Sequence, residues 1–432
     1  MRFTLSALQA ALLFVQLLPL HALALGQDTS VPPGFRTQAE AVAPDAPLTL
    51  AQAVELAQTA SPQLRASALN IAIAEGAEIQ AGLLPNPELS YLKEGTQRGN
   101  RTQTTQLSQL VELGGKRSAR IALAAQDRLL AARALDTDRA QLRADVITAY
   151  LDTLTAQEHV NLSQQSVQLA AKAANAADRR VAAGKISPVE QTRSTVAAAN
   201  ARIELTQALA ELDLVKRRLA ALWGSTAPLT RPLVTPELDL ASIPSLAELM
   251  NRLDAAPQLQ RARGQVTRDE AQLSLERAQR IPDVTVTVGT KKDDQLGRSQ
   301  TIVGLAVPFP LFNRNQGNLL SAQRRIERAR AEFDVERITV SKALADSHAR
   351  AVVSQQQLTS LRSEVLPAAQ SAYDAAVTGF ELGKFGFLDV LDAQRTLFQA
   401  REQYLTVLAE RYRAAAELQR YAAVAPQPST GF

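Results

Sequence analysis

Residues 116–183 read KRSARIALAAQDRLLAARALDTDRAQLRADVITAYLDTLTAQEHVNLSQQSVQLAAKAANAADRRVAA. The stretch holds no Gly and no Pro, the residues that most often end a helix. It is rich in Ala, Leu, Gln, Arg and Glu, which favour helix. At 1.5 Å per residue it predicts a helix of roughly 100 Å, against a usual length of about 11–12 residues. Gly184-Lys185 follows it, and Gly suits a helix C-terminus. A second rod echoes the first. Asn318 to Thr378 is Gly-free, is interrupted only by Pro367, and leads to Leu382-Gly383-Lys384.

The rest of the chain divides around these rods. Arg2 and the apolar run Leu5 to Leu20, followed by Ala22-Leu23-Ala24, read as a secretory signal over 1–24. Residues 25–47 carry Pro32, Pro33, Pro44 and Pro47 and predict an extended arm. A first repeat spans 48–224, a Pro-rich linker 225–244, a second repeat 245–424 and a tail 425–432. Thr49 and Gln52, and again Ser245 and Glu248, have capping-box spacing. Ser61-Pro62-Gln63-Leu64 returns as Ala256-Pro257-Gln258-Leu259, and Leu84-Pro85 as Ile281-Pro282. Corresponding landmarks stay about 195–199 residues apart, which indicates duplication. Each half reads helix, hairpin, long helix, turn, long helix.

The hairpins come from alternation. Glu88 to Lys93 and Thr102 to Val111 predict one pair of strands around a loop at 94–101. Val284 to Val288 and Thr301 to Val307 predict another around a polar loop at 291–300. Val303, Leu305 and Val307 fall on one face, and Ile302, Gly304 and Ala306 on the other. Leu311-Phe312-Asn313-Arg314 stands where Leu113-Gly114-Gly115-Lys116 stood. Gly114, Gly115 and Lys116 form the turn from strand to rod.

The rods carry heptads. Val146, Thr153, Val160, Val167 and Ala174 form one series, and Leu142, Ala149, Ala156, Ser163 and Ala170 another. In the last helix Leu391, Phe398, Leu405 and Tyr412 form a third, with Leu408, Ala415 and Ala422 beside it. Strands of about ten residues are long enough to cross a bilayer as a tilted barrel. Four cannot close one, since the smallest barrels have about eight. Open edges are not tolerated in lipid. The chain must therefore pool strands with copies of itself, and three copies give about twelve. The fold class is mainly α, with a trimeric β-barrel continued by a long helical barrel.

Composition narrows the function. Lys and Arg number 47 against 43 Asp and Glu, a net charge of +4 that gives no footprint for nucleic acid. Aromatics are 4%, which suits closely packed Ala-rich helices. There is no Cys, hence no disulfide framework, thiolate metal site or lipid-acceptor Cys. Gly115-Lys116-Arg117-Ser118 and Gly184-Lys185 are not phosphate loops, because Leu110 and Arg179 occupy the required Gly positions. His159 and His348 lie within rods without a second ligand at close spacing, so no metal site is expected. No catalytic constellation and no cofactor motif appears.

The helix–hairpin–long-helix duplication resembles the TolC-like family of trimeric outer-membrane efflux channels, over essentially all of the mature chain. Gly383-Lys-Phe-Gly-Phe-Leu-Asp-Val-Leu-Asp-Ala-Gln-Arg395 resembles the family's second periplasmic tip. Leu110-Val-Glu-Leu-Gly-Gly-Lys-Arg-Ser-Ala-Arg120 resembles the CzcC-type branch that serves heavy-metal pumps. The resemblance implies a homotrimer in the outer membrane with a long periplasmic extension. It implies an inner-membrane proton-driven pump of the RND type and a periplasmic membrane-fusion adaptor as partners, and divalent heavy-metal cations as cargo. A multidrug or protein-secretion channel of the same fold is the alternative. A periplasmic coiled-coil adaptor is a further one, disfavoured by the two hairpins.

Site residues follow from symmetry and from the resemblance. Asp389 and Asp392 share a helix face just after the second tip. Threefold symmetry would make them acidic rings, which select cations; the competing account is a helix N-terminus that favours acids. Glu190 holds the equivalent place in the first repeat. Gly184, Lys185, Gly383 and Lys384 are the tips expected to dock the adaptor. The family places a basic gate residue two positions beyond the second-tip Gly; this chain has Phe385 there, beside Lys384. Phe432 is weakened as a barrel signal by Pro426 and Pro428.

Overall fold

The computed structural model describes residues 46–95, 99–185, 187–236, 243–382 and 384–422. The expected signal segment, nearly all of the arm and the tail lie outside the described residues, as does Gly383. The first repeat opens with α1 (Leu50–Ala60) and α2 (Pro62–Ala81). The capping box on Thr49 and Gln52 starts α1. Ser61 then turns extended, and Pro62 opens α2 at the position where a missing N–H costs nothing. Strands β1 (Glu88–Glu94) and β2 (Thr102–Val111) follow, then the rod α3 (Lys116–Ala182) and the helix α4 (Pro188–Ala221).

The second repeat runs through α5 (Leu246–Asn251), a 3₁₀ turn at Leu253–Ala255, and α6 (Pro257–Ala278). Strands β3 (Val284–Asp293) and β4 (Arg298–Ala306) come next. The second rod consists of α7 (Gln316–Ser360), a π turn at Leu361–Val365 and α8 (Leu366–Glu381), and α9 (Phe387–Ala422) ends the fold. The interruption at Pro367 is thus a widened turn, not a break. Pro367 has no N–H to give and its ring crowds the preceding turn. The i to i−5 bond from Leu366 N–H to Leu361 O carries the helix past that gap.

The four strands form one antiparallel sheet in the order β1-β2-β3-β4. The joint between the two halves is β2–β3, paired from Val111↔Val284 to Thr102↔Asp293. The second hairpin is longer than the alternation predicts. Lys291 to Asp293 and Arg298 to Gln300 are strand, and only a short turn at 294–297 joins them. Hydrophobic alternation stops where the side chains become polar, but the backbone ladder does not.

Register sorts the two faces. Leu89, Leu107, Val288 and Val303 form one row across all four strands, and each is more than half exposed. Val286 and Leu305 extend this apolar band by one row. The opposite face carries Ser90, Gln106, Ser108, Thr285 and Thr287 alongside Leu92, Leu110, Ile302 and Ala306, with the Ser108 and Thr287 hydroxyls 3.1 Å apart. An apolar band on one face and polar residues on the other is the pattern of a membrane barrel wall. Among the described residues strands β1 and β4 each pair on one side only.

The core lies among the helices. Val146, Thr153 and Val160 are buried, as are Leu142, Ala156, Ser163 and Ala170, so the α3 heptads mark real seams. In α9 the most deeply buried positions are Val390, Gln394, Leu397, Ala400, Leu408, Ala409 and Ala414. The predicted series Leu391, Phe398, Leu405 and Tyr412 is only half-buried, whereas Leu408 of the second predicted series lies in the seam. Phe398 packs beside Ala369, Leu397 and Ala400. Near the middle of the chain's core, Tyr150 is fully buried. Its hydroxyl lies 2.8 Å from Leu48 O and 2.6 Å from Val234 O, and accepts from Val234 N–H at 3.2 Å. Burial pushes this phenol up to about 12, so it stays a neutral donor. It ties the segment before α1 and the interrepeat linker to the first rod.

Charge placed on the apolar band should block insertion. Arg at mid-membrane costs about 2–4 kcal/mol per residue. The double variant Val286→Arg, Leu305→Arg is expected to leave soluble or degraded protein, and cell fractionation reads the outcome; normal outer-membrane yield of heat-labile oligomers would contradict it.

Candidate functional site

Three places on this scaffold could carry channel function. The first is the passage from barrel strand to rod. Gly114 and Gly115 both have φ near +70°, a region that costs other residues strain. A Cβ on Gly114 would stand 2.7 Å from Ile281, so the chain passes there only as glycine. Beyond the turn, Lys116 Nζ donates to Asp283 Oδ1 at 2.7 Å, and Leu113 N–H donates to the same oxygen at 3.0 Å. Burial favours the protonated Asp283, but the bonds from Lys116 and Leu113 and the nearby charge of Arg120 outweigh it. The carboxyl is therefore held below its ordinary range. Arg120 pairs with Glu112, and Arg117 Nε donates to Gly82 O at 2.6 Å. The end of α2, the end of β2, the start of α3 and the approach to β3 thus meet in one polar knot.

The second repeat makes this turn differently. Asn315 has φ 59°, the left-handed conformation, and is the N-cap of α7 as Gly115 is of α3. Its amide donates to Glu276 O at 3.0 Å and to Glu276 Oε2 at 2.7 Å. The counterpart of Gly115-Lys116 is therefore Asn315-Gln316, not Asn313-Arg314. The second rod accordingly begins at Gln316, two residues before the predicted start.

The second place is the tips. Gly184 has φ +66° with open space around its missing Cβ. Lys185 N–H reaches back to Arg180 O at 2.8 Å, the six-to-one bond of a Schellman cap. Lys384 N–H makes the same bond to Gly379 O, also 2.8 Å. Phe385 closes over Gly379, where a Cβ would collide with its ring. The Arg180 guanidinium lies 5.6 Å from the centre of the Phe380 ring, a cation–π contact between the ends of the two rods. The cap bonds at Lys185 and Lys384 could be anticipated from the Gly-Lys pairs. The Arg180–Phe380 contact and the Asp283 clasp could not, since nothing in local pattern announces partners about 170–200 positions apart.

The third place is the acids beyond the tips. Asp389 Oδ2 accepts from Gly386 N–H at 2.8 Å, so this carboxylate caps the start of α9. Asp392 is exposed one turn further on. Glu190 is exposed in the first turn of α4, where Ser187 Oγ accepts from Val189 N–H. Among the described residues no ion pair joins Lys384 to either aspartate, and no hydrogen bond or ion pair joins Glu190 to them. His159 Nε2 is 3.8 Å from Glu204, and His348 Nε2 is 3.1 Å from Pro244 O. Among the described residues no group of three or more His, Asp or Glu side chains converges as metal ligands. No described helix is long and apolar enough to cross a membrane.

A sheet with a lipid-type face and unpaired edges, continued by long paired helices, defines an outer-membrane channel subunit. The family model for outer membrane efflux proteins matches residues 53–225 and 249–424, and the chain belongs to that family. It is 43% identical to the cobalt-zinc-cadmium resistance protein CzcC of Cupriavidus metallidurans, over 91% of this chain and 93% of that one. It is 30% identical to the nickel and cobalt resistance protein CnrC of the same organism, over 70% of this chain and 72% of the other. A crystal structure of the channel CusC superposes with a TM-score of 0.72 over 86% of this chain and 91% of that chain, at 18% identity. That likeness shows the shared TolC-like fold. The family is one of transport channels, not of enzymes. Its channels are trimeric and work within tripartite efflux systems.

The clasp yields a pH-dependent expectation. A carboxyl whose folded pKa is depressed stabilises the fold above its unfolded pKa, and that contribution is lost as pH falls through the folded value. Asp283→Asn should lower the thermal midpoint of purified protein at neutral pH, a loss of about 1.5–3 kcal/mol for a hydrogen bond to a charged group. The gap to the unsubstituted protein should close in strong acid, and a gap that persists unchanged there would contradict the clasp.

Proposed function

We propose that three copies of this chain form the exit duct of a tripartite efflux system for divalent heavy-metal cations. Each copy contributes four strands to a barrel of about twelve, wide enough to conduct. The rods continue the duct through the periplasm. The observation that carries the cargo is the 43% identity to a cobalt-zinc-cadmium resistance protein along nearly the whole of both chains. The similarity to a nickel and cobalt resistance protein points the same way. The partners are an inner-membrane proton-driven pump of the RND type and a periplasmic adaptor. The adaptor docks at the tips around Gly184-Lys185 and Gly383-Lys384.

Expression in a cobalt-, zinc- and cadmium-sensitive strain that retains its pump and adaptor but lacks their exit channel should restore tolerance. Failure to restore it, with trimers present in the outer membrane, would redirect the cargo. Within that assay Gly184→Pro should abolish export while trimers still assemble, because proline cannot adopt φ +66°. Unimpaired tolerance would remove this tip from docking.

Asp389 and Asp392 form acidic rings at the periplasmic entrance in this reading. Asn can still accept from Gly386 N–H, so Asp389→Asn with Asp392→Asn removes charge and keeps the cap. Conductance of purified trimers in planar bilayers should lose cation selectivity and divalent block. Unchanged selectivity and block would assign both aspartates to the helix end alone.

A further inference from the structure

The sheet face that carries the apolar band changes character along its length, and it does so in rows. Nearest the helices stand Val111 and Val284, then Gln109, Val286 and Leu305, then Leu89, Leu107, Val288 and Val303. The next row is Tyr91, Thr105, Thr290 and Thr301, and the last is Lys93, Gln103, Lys292 and Ser299. The advance from Val284 to Lys292 is about 27 Å along the strand, or about 20 Å of membrane depth at a tilt of about 40°. The segment after β4 adds the exposed Phe309 and Phe312 at the near end. Against an apolar wall about 25 Å tall, the lysine row stands at the far boundary. The hairpin turns lie at the end of the sheet away from the helices, and the helices extend into the periplasm, so this boundary belongs to the outer leaflet.

Charge is sorted by face at this end. Lys93 and Lys292 are exposed on the face of the apolar band. The acids of the four strands, Glu88, Glu94 and Asp293, all fall on the opposite face. Asp293 is also committed to its turn, where Oδ1 accepts from Gln295 N–H at 2.8 Å and from Leu296 N–H at 3.4 Å. Among the described residues the side chains of Lys93, Gln103 and Lys292 make no hydrogen bond or ion pair. Neighbouring strands are about 4.8 Å apart, so the two lysines, with β2 between them, root about 10 Å from each other. Their flexible four-carbon stems let both ammonium groups swing over Gln103. Tyr91, 63% exposed, lies one row below, an amphipathic ring at the level where hydrocarbon gives way to headgroups.

We infer that Lys93, Gln103 and Lys292 form a binding site, one per subunit, for a phosphate group of the outer-leaflet glycolipid. That leaflet is built of acylated sugars bearing phosphate esters, so an anion stands at the height of the lysine row. The two ammonium groups take its oxygens through charge-assisted hydrogen bonds, and the Gln103 amide donates a third. The acyl chains then run down the valine and leucine rows, and the Tyr91 ring covers their first carbons. Two cations without a protein counter-ion at a lipid boundary are costly unless the lipid supplies one. Sorting the acids to the other face leaves nothing on this face to repel the phosphate. The site lies outside the duct and holds whichever cargo the duct carries.

Trimers purified in detergent would be titrated with bisphosphorylated lipid A, with enzymatically dephosphorylated lipid A and with phosphatidylglycerol, and bound lipid counted by native mass spectrometry. The unsubstituted protein should retain the bisphosphorylated form at one copy per subunit, and the other two lipids more weakly. Lysine near an anionic lipid surface is worth about fivefold, so Lys93→Gln with Lys292→Gln should weaken retention about thirtyfold. Lys93→Arg with Lys292→Arg should restore it, which separates loss of charge from loss of fold. Lys291→Gln removes the same charge from the opposite face and should leave binding unchanged. Equal retention of lipid A by the double glutamine variant would overturn the site. An equal loss from Lys291→Gln would reduce it to net charge and overturn it as well. Phosphatidylglycerol held as tightly as bisphosphorylated lipid A would overturn the glycolipid as its occupant.

Discussion

Hydrocarbon offers no partner to a backbone N–H or C=O, and an unpaired group there costs several kcal/mol. Most of this structure is a response to that constraint. One hairpin per repeat gives four strands, and their backbone bonds pair three ladders but leave two edges. Duplication doubles the sheet without closing it. Closure has to come from further copies, and this in turn fixes what the sheet may show on each face. The apolar row through Leu89, Leu107, Val288 and Val303 has no place in water, and the hydroxyl face opposite has none in lipid. Both find a place only when the sheet is bent into a wall.

The same constraint explains the polar knot beneath the sheet. A strand that leaves the membrane must become a helix within a few residues, and both elements demand their own backbone bonds. Gly114 and Gly115 make the turn sterically possible, and Lys116 with Asp283 fixes its direction. The ion pair spans the two halves, so the first rod is aimed by a residue that precedes the third strand. The second half meets the same need with a single left-handed Asn315, whose side-chain amide supplies bonds that the glycines cannot. Two chemistries at equivalent turns are what duplication followed by divergence leaves behind.

Much of this was legible in the sequence because it rests on local rules. Rod length, the capping boxes on Thr49 and Ser245 and the alternation in β3 each follow from neighbours within a turn or a pleat. Misreadings fall where distant partners decide. Lys291 to Asp293 look like loop by polarity, yet β2 and β4 on either side keep them in the ladder. The α9 seam runs through Val390 and Leu397, not Leu391 and Phe398, because depth of burial depends on which helix lies opposite. The acids show the same limit more strongly. Spacing places Asp389 and Asp392 on one helix face, and the structure adds the cap on Gly386. Whether that face lines a passage is a property of three chains together.

The two rods are alike at their ends and unlike in between. Both tips close with an i to i−5 bond onto a lysine N–H, 2.8 Å in each. Yet the first rod is α-helical from Lys116 to Ala182, while the second widens to a π turn at Leu361–Val365 to pass Pro367. An extra residue in one turn rotates everything beyond it relative to a regular helix. Beyond this turn Ala369 of α8 packs on Leu397 and Ala400 of α9. The tips differ as well: Phe385 closes over Gly379 at the second, whereas the space around Gly184 at the first is open. The Arg180–Phe380 contact joins the two rods near their tips within a subunit, one cation from the uninterrupted rod over one ring from the rod that carries the π turn.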